Sequence, residues 1–151
     1  MSASLAFDIN PNRQMNENEP NTVFGTQWVA DFAGCRCASN LLTDAAALEL
    51  ACMTIVAASG LKIMGRVFHQ FSPVGATGLV LLAESHLAVH TWPEFSSVAI
   101  DLYVCNVYEL NTDKAKAVFD QLVSLFQPAS NTHKVILRGS AQLQSSQHTA
   151  V

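Results

Sequence analysis

The segment from Glu84 to Glu94 concentrates side chains that could take part in covalent or proton-transfer chemistry. Its eleven residues include a serine, two histidines and two carboxylates, in the order Glu84-Ser85-His86-Leu87-Ala88-Val89-His90-Thr91-Trp92-Pro93-Glu94. Apolar side chains are interleaved with the polar ones at the period of two that is typical of a β-strand. In such a strand Ser85 and His90, an odd number of residues apart, point to opposite faces. We therefore predict a turn or bulge near Ser85 that brings the two together.

The Ser85 hydroxyl could act as a nucleophile in two ways. A hydrolase serine usually lies in a G-x-S-x-G turn or pairs with a lysine in S-x-x-K, and neither pattern surrounds Ser85. Alternatively, the hydroxyl attacks the carbonyl of the preceding residue, and elimination from the resulting ester yields a pyruvoyl group. That reaction needs a base and oxyanion donors, and His90 suits the first task. A strand-end serine and a core histidine remain the ordinary alternatives for these residues.

Composition restricts the classes of function. The chain has 151 residues, of which half are hydrophobic and 13% are charged, as expected for one domain with a substantial core. Its net charge of -4, without a basic cluster, argues against nucleic-acid or membrane-surface binding. We find no signal peptide or membrane span, and therefore expect a cytoplasmic protein with reduced cysteines. Cys35 and Cys37 form a C-x-C with no second pair, so no metal site is predicted.

The pattern along the chain predicts one folded domain between two flexible ends. We expect a flexible N-terminal arm over 1–24, the domain over 25–139 and a flexible tail over 140–151. A helix capped by Thr43 ends at Gly60, and a second helix runs from Thr112 to just before Pro128. Predicted strands cover 28–32, 61–71, 78–82, 87–92, 98–105 and 135–137. This order favours an α+β two-layer sandwich, with a mainly antiparallel sheet and helices packed on one face. A dimer could cover the other face.

The segment around Ser85 closely resembles a known family. Residues 84–94, followed by Cys105, are similar to the prokaryotic S-adenosylmethionine decarboxylases, which are pyruvoyl-dependent enzymes of polyamine synthesis. The similarity covers about residues 25–139 and includes the segments Asp31-Phe32-Ala33-Gly34-Cys35 and Phe68-His69-Gln70-Phe71-Ser72-Pro73. The resemblance implies self-cleavage between Glu84 and Ser85. Ser85 then becomes the pyruvoyl cofactor at the start of the α chain.

The resemblance also implies roles for single residues. In processing, His90 matches the base, and Thr77 stands where we expect a serine hydroxyl that assists it. In turnover, Cys105 matches the proton donor to the substrate carbon after carbon dioxide leaves. Phe71 and Glu94 match the residues that stack on adenine and bind the ribose hydroxyls. Four of these residues, His90, Cys105, Phe71 and Glu94, also have an ordinary structural reading when taken singly. His86 is a further candidate for the active site.

The activity implied is decarboxylation of S-adenosylmethionine through a Schiff base, which yields the aminopropyl donor for spermidine synthesis. The family also implies dimers of processed αβ protomers, with active sites at the subunit interface. A pyruvoyl-dependent arginine or ornithine decarboxylase and a non-processing homologue that acts as a binding protein are the alternatives. Phe71 and Glu94 favour a nucleoside substrate over a free basic amino acid. Gln27 and Asn106 depart from the family, which often has histidine and glycine at these positions.

Overall fold

A six-stranded antiparallel sheet forms the centre of the computed structural model, which describes residues 23–140. Its spatial order is β2-β3-β4-β5-β1-β6, with every neighbouring pair antiparallel. The strands are β1 (Val23–Cys35), β2 (Ile63–Gln70), β3 (Ala76–Leu82), β4 (Ser85–Trp92), β5 (Ser97–Cys105) and β6 (Pro128–Ser140).

The predicted arm and tail lie outside the described residues, except at their inner ends. Val23 and Phe24, which we assigned to the arm, belong to β1. Ser140, which we assigned to the tail, is the last residue of β6. Long ladders between β1 and β6 extend both strands beyond the short segments that the sequence pattern marked.

Three helices connect the strands: α1 (Asn40–Thr43), α2 (Ala45–Ser59) and α3 (Thr112–Phe126). Helix α2 ends at Gly60 as predicted, in a left-handed conformation (φ 79°) that glycine adopts without strain. The predicted cap was wrong, because Thr43 belongs to α1 and its hydroxyl donates to the Ser39 carbonyl. Asp44 caps α2 instead, accepting the Ala46 N–H at 2.8 Å. None of the described helices is long and apolar enough to cross a membrane.

The hydrophobic core lies between one face of the sheet and the helices. Alternate residues of β4 and β5, such as Leu87 and Leu102, point into this layer and are fully buried. They pack with the apolar sides of α2 and α3, whose buried residues are Leu48, Cys52, Val56, Ala115, Val118, Phe119, Leu122 and Phe126. Each buried leucine contributes about 1.5–3 kcal/mol to folding. The predicted two-layer α+β sandwich is therefore confirmed.

The opposite face of the sheet, here called the open face, faces away from α2 and α3. From β4 it carries His86, Ala88, His90 and Trp92, which alternate with the core positions. A polar cluster lies on this face: Gln27 Nε2 donates to Asp101 at 2.8 Å, and His86 Nε2 is 3.6 Å from Asp101 Oδ1. The remaining exposed residues of the face include large apolar ones, such as Leu81.

Candidate active site

The Glu84–Ser85 bond lies at the tight turn that joins β3 to β4. Leu82 pairs with Ser85, and Ala83 and Glu84 are the two residues of the turn between them. The apolar runs on either side enter the core, so the chain must reverse direction here. The predicted sharp turn at this bond is confirmed.

The two groups that would react in a cleavage of this bond have contrasting environments. The Glu84 carbonyl oxygen accepts a hydrogen bond from the backbone N–H of Cys105 at 3.1 Å. The Ser85 hydroxyl oxygen is buried and has no hydrogen-bond partner among the described residues. A buried hydroxyl without a partner costs about 1–3 kcal/mol, so its retention calls for a functional explanation.

The side chain of Glu84 lies beside this bond. Its Oε2 atom is 3.4 Å from Nδ2 of Asn111, which also donates to the Cys105 carbonyl at 2.9 Å. Partial burial raises the pKa of the Glu84 carboxyl, and the negative charge of Glu109 raises it further. A hydrogen bond from the Tyr108 backbone and the charge of Lys114 act in the opposite direction.

Cys105 ends β5, where it pairs with Gly25 of β1. Gly25 has no Cβ, and a Cβ there would lie 2.5 Å from the ring of Tyr103, so no larger residue fits beside this strand end. The thiols of Cys52 and Cys35 lie in the hydrophobic core or pack against it. Burial raises the pKa of Cys52 to about 12, and burial together with the neighbouring Cys37 raises that of Cys35 to about 11. Those two thiols are therefore poor proton donors near neutral pH.

A second group of candidate residues lies at the other end of β4. Thr77 of β3 pairs with His90, and its hydroxyl oxygen is 2.6 Å from His90 Nδ1 on the open face. Thr77 also approaches the Val89 carbonyl at 3.5 Å. The short contact engages Nδ1 and so orients the imidazole ring.

Phe71 and Glu94 lie at the same end of the sheet as His90. Phe71 directly follows β2, where its N–H donates to the Gly75 carbonyl, and its ring meets the ring of His69 edge-on at 4.8 Å. Phe71 as a whole residue remains 47% exposed. Glu94 is exposed in the single turn of 3₁₀-helix that follows β4.

The structure therefore divides the predicted site residues into two groups at opposite ends of β4. The turn end comprises Glu84, Ser85 and Cys105, and the Trp92 end comprises Phe71, Thr77, His90 and Glu94. Ser85 and His90 are five positions apart in extended chain, which corresponds to about 17 Å. The turn thus does not bring Ser85 and His90 together within one chain, contrary to our expectation. The reason is that it reverses β3 against β4 and leaves β4 itself straight.

The protein-family model for S-adenosylmethionine decarboxylase matches residues 26–139, a range that includes the candidate residues at both ends of β4. The chain belongs to the S-adenosylmethionine decarboxylase family. Among its relatives are S-adenosylmethionine decarboxylase proenzymes from Archaeoglobus fulgidus (40% identity, 56% of this chain and 72% of the relative) and Picrophilus torridus (34%, 77% and 85%). The crystal structure of the adenosylmethionine decarboxylase from Aquifex aeolicus superimposes with a TM-score of 0.71 at 29% identity, covering 78% of this chain and 92% of that one.

The two departures from the S-adenosylmethionine decarboxylase pattern both have defined contacts. Gln27 donates to Asp101 and accepts a hydrogen bond from Arg138 on the open face. Asn106 follows Cys105 and bonds to the start of α3, where its Oδ1 accepts the Asn111 N–H at 2.9 Å.

Asn111 is the residue of the turn end that the sequence analysis missed. An asparagine just before a predicted helix is typical of a helix cap, so its type and position gave no reason to expect another role. Only the contact with the Cys105 carbonyl reveals that it belongs to the turn end. Within the described residues, no group of three or more His, Cys, Asp or Glu side chains could hold a metal ion.

Proposed function

We propose that this protein is an S-adenosylmethionine decarboxylase that cleaves itself between Glu84 and Ser85 and uses the resulting pyruvoyl group. The observation that supports this best is the environment of the Glu84–Ser85 peptide bond. The bond lies in a tight turn, its carbonyl accepts a hydrogen bond from Cys105 N–H, and the adjacent hydroxyl is buried without a partner in the part of the chain that the structure describes. These are the features that an intramolecular acyl shift requires.

In the first step, the Ser85 hydroxyl oxygen attacks the Glu84 carbonyl carbon. The C–N bond breaks as the hydroxyl proton is transferred to the nitrogen, so that an ester and a free amino group on residue 85 replace the peptide bond. The Cys105 N–H is already 3.1 Å from the oxygen on which negative charge develops, so it stabilises the transition state without reorganisation. The hydroxyl loses no existing hydrogen bond, which keeps the ground state reactive.

In the second step, a base removes the α-proton of residue 85, and the ester C–O bond breaks with Glu84 leaving as a carboxylate. The dehydroalanine that remains becomes an imine, and water converts it to a pyruvoyl group with release of ammonia. His90 is the residue that we assign as the base, with Thr77 holding its Nδ1. Since His90 lies about 17 Å from Ser85 in the same chain, the base must come from another copy.

A two-fold symmetric dimer would supply that base. In an isologous interface, each end of β4 can meet the opposite end in the partner, so the turn end of one chain would meet the Trp92 end of the other. The open face carries both apolar and polar side chains and is the surface that such a dimer would cover. Ser85 and Cys105 of one subunit would then share a site with His90, Phe71 and Glu94 of the partner subunit.

In turnover, the pyruvoyl carbonyl supplies the electron sink that decarboxylation of an α-amino acid needs. Phe71 offers an exposed aromatic residue for adenine, and Glu94 offers a carboxylate for the ribose hydroxyls. Cys105 donates the proton to the substrate carbon after carbon dioxide leaves. A nucleoside substrate accounts for Phe71 and Glu94, whereas arginine or ornithine does not.

Intact-mass measurement of the purified protein tests the proposal directly. We expect two chains, residues 1–84 and residues 85–151, the second beginning with a pyruvoyl group. Ser85→Ala should remain a single chain, whereas Ser124→Ala, which changes an exposed serine of α3, should be cleaved normally. A native preparation that stays uncleaved would contradict the proposal and favour a binding protein. Carbon dioxide release from S-adenosylmethionine, arginine and ornithine then identifies the substrate.

A further inference from the structure

Asn111 occupies the position of a helix cap but does not act as one. It immediately precedes α3, and its side chain makes no capping hydrogen bond. The residue is only 6% exposed. Its Nδ2 atom points away from α3 and donates to the Cys105 carbonyl at 2.9 Å, with Glu84 Oε2 at 3.4 Å. A side-chain cap contributes about 1 kcal/mol to helix stability. Because the Asn111 amide gives up this contribution and contacts the turn end, its position there indicates another role.

A small network holds Asn111 in this orientation. Asn106 Oδ1 accepts the Asn111 N–H at 2.9 Å, which closes the loop between β5 and α3. Asn106 Nδ2 donates to the Thr112 hydroxyl at 2.9 Å, and that hydroxyl lies 3.0 Å from the Thr26 hydroxyl of β1. The loop is thereby fixed to β1 as well as to α3, and the Asn111 amide has little freedom to turn away.

We propose that Asn111 is a positioning residue for self-cleavage. The Asn111 side-chain amide donates to the Cys105 carbonyl. The backbone N–H of Cys105 in turn donates to the Glu84 carbonyl that the Ser85 hydroxyl attacks. By fixing the Cys105 carbonyl, Asn111 keeps the Cys105 N–H directed at the Glu84 carbonyl oxygen, on which negative charge develops. It also approaches the Glu84 carboxylate, which adjoins the same bond. This inference rests on the proposed function.

The test is the rate of cleavage in freshly synthesised chains, followed by intact mass over time after cell-free translation. Asn111→Ala removes the hydrogen bond to Cys105, and we expect cleavage to slow roughly tenfold or more. Asn131→Ala, which removes an exposed amide from β6, is the matched control and should cleave at the parent rate.

Asn111→Asp separates positioning from a general loss of structure. The variant has nearly the same shape, but its ionised carboxylate cannot donate to the Cys105 carbonyl and repels Glu84, which the charges of Glu109 and Lys114 also influence in opposite directions. We expect slow cleavage at neutral pH. As the pH falls and the introduced carboxyl is protonated, it regains a donor, so the ratio of its rate to the parent rate should rise.

The outcomes distinguish this inference from the proposed function. If the parent chain does not cleave, the proposed function fails. If the parent cleaves and Asn111→Ala keeps pace with it, Asn111 has no positioning role although the function stands. Should Asn111→Ala fail to fold by circular dichroism, the Asn111→Asp ratio decides, and a ratio that is constant with pH overturns the inference.

Discussion

Two buried hydroxyls of β4 show how the surroundings decide what a side chain does. The Thr91 hydroxyl donates to the Leu42 carbonyl at 2.7 Å and accepts the Ala76 N–H at 2.8 Å. It is fully engaged in holding the fold. The Ser85 hydroxyl, six residues earlier in the chain, has no hydrogen-bond partner within residues 23–140. Both are ordinary strand hydroxyls in the sequence, and only the second is free to react.

The contact between Thr77 and His90 leads to a prediction about threonine at this position. Thr77→Val keeps the shape and removes the hydroxyl that contacts His90 Nδ1, so the imidazole loses its orientation. We expect self-cleavage to slow about 5–30-fold, as for the loss of 1–2 kcal/mol. Thr77→Ser retains the hydroxyl, so this variant should cleave at least as fast as the parent. A normal rate for Thr77→Val in the intact-mass time course would exclude this role.

The proposed function gives Cys105 a backbone role and a side-chain role, which mutation can separate. Cys105→Ala keeps the N–H that bonds to the Glu84 carbonyl, so self-cleavage should proceed. It removes the thiol, so decarboxylation by the cleaved enzyme should fall roughly 100-fold or more. Cys37→Ala is the matched control and should retain the parent rate of carbon dioxide release. Equal turnover in both variants would show that the proton comes from elsewhere.

At the scale of elements, α1 explains why the predicted start of α2 was wrong by one residue. A threonine followed by an alanine-rich apolar run is a good capping signal, but Thr43 is the last residue of a separate turn of helix. The Thr91 hydroxyl reaches the Leu42 carbonyl of that turn and the start of β3. It thereby joins α1, β3 and β4 near the Trp92 end.

Thr91→Val should therefore destabilise the fold. The valine is nearly the same size, but the buried Leu42 carbonyl and Ala76 N–H lose their partner. We expect the free energy of unfolding to fall by about 1–3 kcal/mol, measured by urea denaturation. Thr132→Val on the exposed part of β6 is the control and should change it by less than about 0.5 kcal/mol. Equal effects of the two substitutions would show that the Thr91 hydrogen bonds do not stabilise the fold.

At the scale of the whole molecule, the division of the site between two ends of β4 predicts complementation between chains. His90→Ala retains Ser85, and Ser85→Ala retains His90, so neither variant should cleave alone. In a mixed dimer, His90 of the Ser85→Ala chain would meet Ser85 of the His90→Ala chain. Co-expression should therefore restore cleavage, and only in the His90→Ala chain.

Mass spectrometry identifies which chain is cut, because the two variants differ in mass. A tag on one variant allows mixed dimers to be purified before the measurement. If co-expressed chains form dimers and neither is cleaved, His90 does not act across the interface, and another base must serve Ser85.

Much of the fold could be predicted because local pattern decides it. The period of two in 87–92 and 98–105 placed strands there, and the apolar spacing of Val118, Phe119 and Leu122 placed α3. The long ladder between β1 and β6 was underestimated, since the pairing of a polar strand depends on its neighbour more than on its own residues. The capping pattern at Thr43 failed because a short extra helix preceded α2.

The amino-acid sequence by itself determined the two-layer architecture and the turn at the Glu84–Ser85 bond. The architecture follows from the alternation of apolar side chains, which is a local property, and the turn was predicted from the opposite strand faces to which Ser85 and His90 point. Tertiary structure alone decided which groups meet: Cys105 N–H reaches the Glu84 carbonyl, Asn111 reaches Cys105, and His90 lies far from Ser85. Such contacts depend on strand order and register, which are set by packing between segments distant in sequence. For this reason the residue types indicated the chemistry, but only the tertiary structure showed that the candidate residues lie at two opposite ends of β4.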